Sequence, residues 1–354
     1  MNAPFYDISA SYDENYKKGP VGLKKYRIPK RNTSLKYKFL GFPINLPFGI
    51  PAGPLPNSKF LKAAFDFGFD VSIYKTVRAD FFPSHPYPNV LYVNAPKELH
   101  PNKNPRLIAS SKQQSKKINI TNSFGVPSKK PLIWRRDVKR ALKHPKKGQL
   151  LILSFMGTVK KNQTQKEFIE DFARAAKLAK ATGVKVLEAN LSCPNIGNEG
   201  LVCYNLDVTE KVCKAIRKEI GKTPLILKVG YYKSLKDLQR LAKIADKYAN
   251  GIASINTLQV EIVDKKGNQA LPGPNRLRSG VCGNTIKWAG LEMVKKLNKI
   301  RKRNKYKFEI VGVGGVTTPQ DYFDYRKEGA NLVQSATGAM WNPYLAYEIW
   351  KKEK

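Results

Sequence analysis

The chain has 354 residues, 42% of them hydrophobic, enough for one large single-core domain or two ordinary ones. No apolar run approaches the ~20 residues of a membrane span, and the N-terminus lacks the basic-then-apolar pattern of a secretory signal. The four cysteines (Cys193, Cys203, Cys213, Cys282) include no C-x-x-C pair, which argues against a metal or iron–sulfur site held by this chain alone and points to a reducing cytoplasm. The net charge of +37 attracts anions. Its lysines are scattered in twos, as at Lys24-Lys25, Lys129-Lys130 and Lys351-Lys352. That scatter reads as a lysine-rich soluble surface, and no nucleic-acid grip is expected.

Residues 1–36 are polar, tyrosine-rich and without an amphipathic stripe, so they are expected to wrap the domain irregularly. Tyr37–Leu46 reads as a small hairpin. From there strands and helices alternate. Phe48–Ala52 is a first strand followed by a helix over Asn57–Phe67, and Asp70–Lys75 is the second. A long proline-rich polar excursion runs to about residue 130, then a helix near Trp134–Leu142. Leu150–Phe155 is the third strand, and its helix Phe168–Ala181 aligns Phe168, Phe172, Ala175 and Leu178 on one face. The fourth strand begins at Val186 and ends in the polar burst Asn190-Leu-Ser-Cys-Pro-Asn195. After the helix Val208–Ile220 come strand five (Pro224–Val229), helix Leu235–Tyr248 and strand six (Gly251–Asn256). A loop of about thirty residues precedes helix Ile286–Ile300. Phe308–Val313 and Asn331–Ser335 are strands seven and eight, with helices Pro319–Glu328 and Pro343–Trp350 behind them.

Eight Val/Ile/Leu-rich strands, each with a following helix, predict an α/β fold, a (β/α)8 TIM barrel with its sheet covered by helices. An open doubly wound sheet would want a G-x-G-x-x-G fingerprint after its first strand, and Gly49-Ile-Pro-Ala-Gly-Pro54 is not one. The expected organisation is an N-terminal extension (1–36) and one barrel domain (37–354) with an insertion at about 80–130.

In such a barrel the reacting groups sit where strands end. Ala52-Gly53, Lys75-Thr76, Gly157-Thr158, Asn190 to Asn195, Lys228, Asn256-Thr257, Gly314-Gly315 and Ala336-Thr337 all fall there. Cys193, between carboxamides, is a candidate base or nucleophile; in isolation it also reads as a buried structural cysteine beside a turn. Lys228 ends a buried strand and needs a partner for its charge, or else snorkels out. Lys75 poses the same question. The glycines after strand seven, with the loop after strand eight, suit a phosphate bound by backbone N–H groups.

These residues resemble the dihydroorotate dehydrogenases, flavoproteins on a (β/α)8 barrel, from about Leu40 to Ala346. Asn190-Leu-Ser-Cys-Pro-Asn195 is similar to the active-site loop of the cysteine-type, class 1 soluble branch. Asn122-Ser-Phe-Gly-Val-Pro127 resembles the loop that holds the pyrimidine. Ser254-Ile-Asn-Thr257, Ser279-Gly-Val-Cys-Gly283, the Gly314-Gly315 turn and Gln334-Ser-Ala-Thr337 have counterparts in the same order.

The resemblance implies FMN, its phosphate on Gly314, Gly315, Ala336 and Thr337. Lys228 would lie beside the isoalloxazine ring, and Ala52, Gly53, Lys75, Thr76, Asn190, Gly280 and Gly283 would complete the cradle. Asn122, Phe124, Gly125, Val126, Asn190, Asn195, Asn256 and Thr257, with Lys75, would bind the pyrimidine. The implied reaction is oxidation of dihydroorotate to orotate in pyrimidine biosynthesis. Cys193 takes the C5 proton and hydride passes from C6 to FMN. No metal is implied, and a homo-oligomer, such as a homodimer, is expected. Fumarate, a quinone, or NAD through a partner subunit all stand open as electron acceptor.

The chain departs from the family pattern at Ser128, where asparagine is usual. It also departs in the long 75–122 segment, in the added N-terminus, and at Met156-Gly157-Thr158, which lacks an asparagine. A dihydropyrimidine dehydrogenase-like flavoenzyme is the alternative activity, although it normally lacks the Asn-x-x-Gly pattern of Asn122 to Gly125. A flavin-less nucleic-acid-binding barrel is the alternative of another class, and it has no use for aligned glycines, lysines and a base.

Overall fold

The computed structural model describes residues 3–113, 117–192 and 202–353. Eight strands form one sheet: Phe48–Gly49, Val71–Val77, Leu150–Phe155, Val186–Asn190, Leu225–Val229, Gly251–Ser254, Glu309–Val313 and Leu332–Gln334. The paired neighbours are parallel, in the order one, eight, seven, six, five, four, three, two. The N–H of Ile73 on the second strand donates to the Ile50 carbonyl at 2.9 Å, which brings the two ends of the sheet together. The expected (β/α)8 barrel is the fold.

Side chains alternate across each strand, so each strand serves two cores. Val71, Ile73, Ile152, Val186, Ile226 and Val311 plug the barrel interior. Tyr74, Leu151, Leu153, Leu187 and Leu227 face outward, in the cluster that includes the helices. Helix Gln165–Lys180 shows why these helices dock. It starts at a reciprocal cap, in which Thr164 Oγ accepts from the Glu167 N–H at 3.2 Å and Glu167 Oε2 accepts from the Thr164 N–H at 2.8 Å. Phe168, Phe172, Ala175, Ala176 and Ala179 are its buried stripe.

Three stretches without a predicted helix or strand are ordered. The N-terminal segment contains a helix, Tyr12–Lys18, whose Ser11 and Glu14 form a capping box. Its Phe5 is completely buried, edge-on to Phe67 and Phe69. The segment therefore enters the core rather than only wrapping it. The excursion after the second barrel strand carries strands Val90–Val93, Arg106–Ser110 and Asn119–Asn122, and the loop after the sixth carries Leu258–Val263 and Arg278–Gly283. These five pair into a small closed sheet of their own. Short strands with mixed polar faces, such as Arg106–Ser110, become strands because partners distant in the chain complete their hydrogen bonds. No described helix is long and apolar enough to cross a membrane.

Candidate active site

One cleft is walled by the C-terminal ends of the barrel strands, by Thr257 just before strand Leu258–Val263, and by the five-stranded sheet, which contributes Val90, Ile120, Asn122 and Cys282. Along the interior the apolar plug gives way to polarity at this end. Two residues beyond Ile73, Ile152, Val186 and Ile226, on the same strand faces, stand Lys75, Ser154, Glu188 and Lys228, all buried.

Glu188 and Lys228 are both cleft residues, 2% and 6% exposed. On paired strands Glu188 lies opposite Ile226, so Lys228 is one pleat further up the same face. Burial pushes the Glu188 carboxyl up, opposed by the Lys228 charge and a hydrogen bond from Ser154. Burial pushes Lys228 down, opposed by Glu188. Glu188 is thus the partner that a lysine at this strand end requires. Ser154 Oγ also hydrogen-bonds Thr76 Oγ1 at 3.0 Å, which extends the polar layer to the second strand.

The 122–127 loop is pinned from behind. Just past the second strand, Arg78 is buried and donates to the carbonyls of Val126 (3.0 Å) and Gly125 (3.1 Å). Arg276 donates to the Ser123 carbonyl at 2.9 Å, and burial lowers its pKa to about 10. Gly125 has φ +73°, and a Cβ there would come within 2.6 Å of the His85 ring. Only glycine meets both demands. Ser128 is buried and accepts from the Arg78 N–H at 3.0 Å, so the residue that departs from the family pattern anchors the end of the loop.

The dihydroorotate dehydrogenase family model matches residues 94–353. "Dihydroorotate dehydrogenase" of Dictyostelium discoideum is 35% identical over the whole chain and 98% of that protein. The chain belongs to the dihydroorotate dehydrogenase family. Over about half of the chain it is also 30% identical to the Brachyspira hyodysenteriae "Dihydroorotate dehydrogenase B (NAD(+)), catalytic subunit", covering 58% of that protein. The Lactobacillus helveticus "Dihydroorotate dehydrogenase A (fumarate)" is 30% identical over 46% of the chain and 51% of that protein.

Of the residues that the family resemblance singled out, Ala52, Gly53, Lys75, Thr76, Asn122, Phe124, Gly125, Val126, Asn190, Lys228, Asn256, Thr257, Ala336 and Thr337 line this one cleft. Gly280, Gly283, Gly314 and Gly315 are not on its wall. Gly280 pairs with Asn122 and packs so closely on Thr257 that a Cβ would approach Thr257 Oγ1 to 2.3 Å. Gly283 pairs with Asn119. Gly314 and Gly315 turn the chain at φ +125° and +68°, and a Cβ on Gly315 would meet the Lys287 backbone at 2.6 Å. Cys193 and Asn195 lie outside the described residues. Their neighbourhood is partly fixed: Asn190 Oδ1 accepts from the Ser192 N–H at 3.2 Å, and Asn256 Nδ2 donates to the Ser192 carbonyl.

Sequence reasoning missed Glu188, Arg78, Cys282 and Tyr6. Glu188 carried a usable signal, a carboxylate on a buried strand two residues before Asn190 and beside the strand of Lys228. Cys282 accepts from Asn122 Nδ2 at 3.5 Å, and burial raises its thiol pKa. His85 stands behind the loop, its Nδ1 3.1 Å from Ser123 Oγ.

Proposed function

We propose that the chain oxidises dihydroorotate to orotate with bound FMN, Cys193 removing the C5 proton while hydride leaves C6. The observation that carries this reading is the convergence of three carboxamides (Asn122, Asn190, Asn256) and the buried cation Lys228 on a single cleft. Each carboxamide offers a donor and an acceptor to the amide edges of a pyrimidine.

The cleft suits a flavin on its own chemistry. Gly53 lines it, and a Cβ there would meet nothing within 4 Å, so the missing side chain leaves room for a flat ring. The Thr257 hydroxyl is buried with no partner among the described residues, which suits a bond to a ligand. Lys228 would stabilise negative charge that develops on the ring system, and the nearby Glu188 opposes the effect of burial on that lysine. Gly314, Gly315, Ala336 and Thr337 would hold the phosphate, and Lys75 and Thr76 the ring edge. FMN, when bound, supplies the hydride acceptor.

Purified protein is expected to be yellow, with about one FMN per chain. Anaerobic dihydroorotate should bleach it, while dihydrouracil should not. Folded but colourless protein that takes up no FMN, or bleaching by dihydrouracil alone, overturns the assignment.

A further inference from the structure

We propose that Tyr6, carried into the cleft by the N-terminal segment, is a substrate-binding residue whose hydroxyl donates a hydrogen bond to the bound pyrimidine acid. This rests on the functional reading above and adds to it a residue from outside the barrel.

Tyr6 lines the cleft and is 2% exposed, and its hydroxyl is buried with no partner among the described residues. Leaving a buried hydroxyl unsatisfied is costly, and a ligand acceptor in the cleft would remove that cost. Burial also raises the Tyr6 pKa, so the hydroxyl keeps its proton and stays a donor at every ordinary pH.

The ring is held in place. It stands edge-on to Phe124, centroids 5.8 Å apart at 83°, and 6.0 Å from Phe60. Phe124 belongs to the loop expected to hold the pyrimidine, and Tyr12 of the same N-terminal segment stacks edge-on against it at 6.1 Å.

The backbone on either side of Tyr6 is tied to the end of the barrel and to the insertion. The Phe5 N–H donates to the carbonyl of Met340, a cleft residue, at 3.2 Å. Further on, Tyr87 OH donates to the Ser9 carbonyl at 3.1 Å, and Lys129 Nζ meets Asp13 at 2.6 Å. The segment therefore bridges the end of the barrel and the insertion, with Tyr6 between them.

The test compares wild-type and Tyr6→Phe holoenzymes by calorimetric titration with orotate, alongside FMN content and thermal melting. Phenylalanine keeps the ring and its packing and removes only the hydroxyl. The expected result is unchanged FMN content, a Tm unchanged or raised because an unsatisfied polar group is gone, and orotate Kd weakened about tenfold. An orotate Kd within twofold of wild type overturns the proposal, as does a loss of FMN with orotate affinity preserved. Wild-type holoenzyme that binds no orotate overturns the functional reading itself, and this proposal with it.

Discussion

Glu188 and Lys228 stand on neighbouring strands inside the barrel, each buried and each the group that offsets the other's desolvation. Removing one leaves an uncompensated charge in a low-dielectric site, which costs about 3 kcal/mol or more. Glu188→Gln should lower stability in urea by roughly that amount near pH 6.

The pH dependence has a defined sign. Burial depresses Lys228, so the folded state binds fewer protons there than the unfolded chain, and stability from this group rises with pH. Without Glu188 the depression deepens, so the deficit of Glu188→Gln should shrink as pH rises toward the ordinary lysine range. A deficit that grows with pH contradicts the pairing. Replacing both residues, Glu188→Gln with Lys228→Met, should recover much of the lost stability in the flavin-free protein.

Cys193 is tested by rate rather than by fold. A thiol of ordinary acidity is only a few per cent thiolate at neutral pH, so flavin reduction by dihydroorotate should quicken as pH rises toward about 8.5. Cys193→Ala should retain FMN and orotate while reduction slows by roughly 10²–10⁴-fold. Cys193→Ser should keep part of the activity and need higher pH. Equal stopped-flow rates for the three proteins would remove Cys193 from the mechanism.

Two glycines separate space for a ligand from space for the fold. A methyl on Gly53 meets nothing within 4 Å, so Gly53→Ala should change the unfolding free energy of the flavin-free protein by less than about 0.5 kcal/mol. It should nevertheless weaken FMN binding, because Gly53 lines the cleft. At Gly280 a methyl would press on Thr257 Oγ1 at 2.3 Å, so Gly280→Ala should destabilise the flavin-free protein by about 1–3 kcal/mol. Equal melting shifts for the two would contradict this division.

The net charge of +37 should steer an anionic substrate through its field rather than through a patch. Where encounter limits the rate, kcat/KM should fall with ionic strength while kcat does not. Tight RNA binding at about 0.15 M salt, with a slope implying several phosphate contacts, would reassign the charge.

The sequence by itself determined the barrel and most of its cleft. Runs such as Leu150–Phe155 and Leu225–Val229 are continuous and apolar because a parallel sheet is covered on both sides, and their polar last residues mark the reacting end. The capping box at Ser11 and Glu14 was equally legible as the start of a helix, although the surrounding polarity hid it. Only the tertiary structure decided the rest. Asn119–Asn122 and Arg278–Gly283 are strands because they hydrogen-bond each other across about 160 residues, a relation that no local pattern carries. Arg78 reaches the 125–126 carbonyls, Glu188 comes to lie one pleat from Lys228, and Tyr6 arrives from the far end of the chain. Local spacing encodes a residue's own strand or helix, whereas a charge partner or a cleft wall depends on which distant elements the closed barrel brings together.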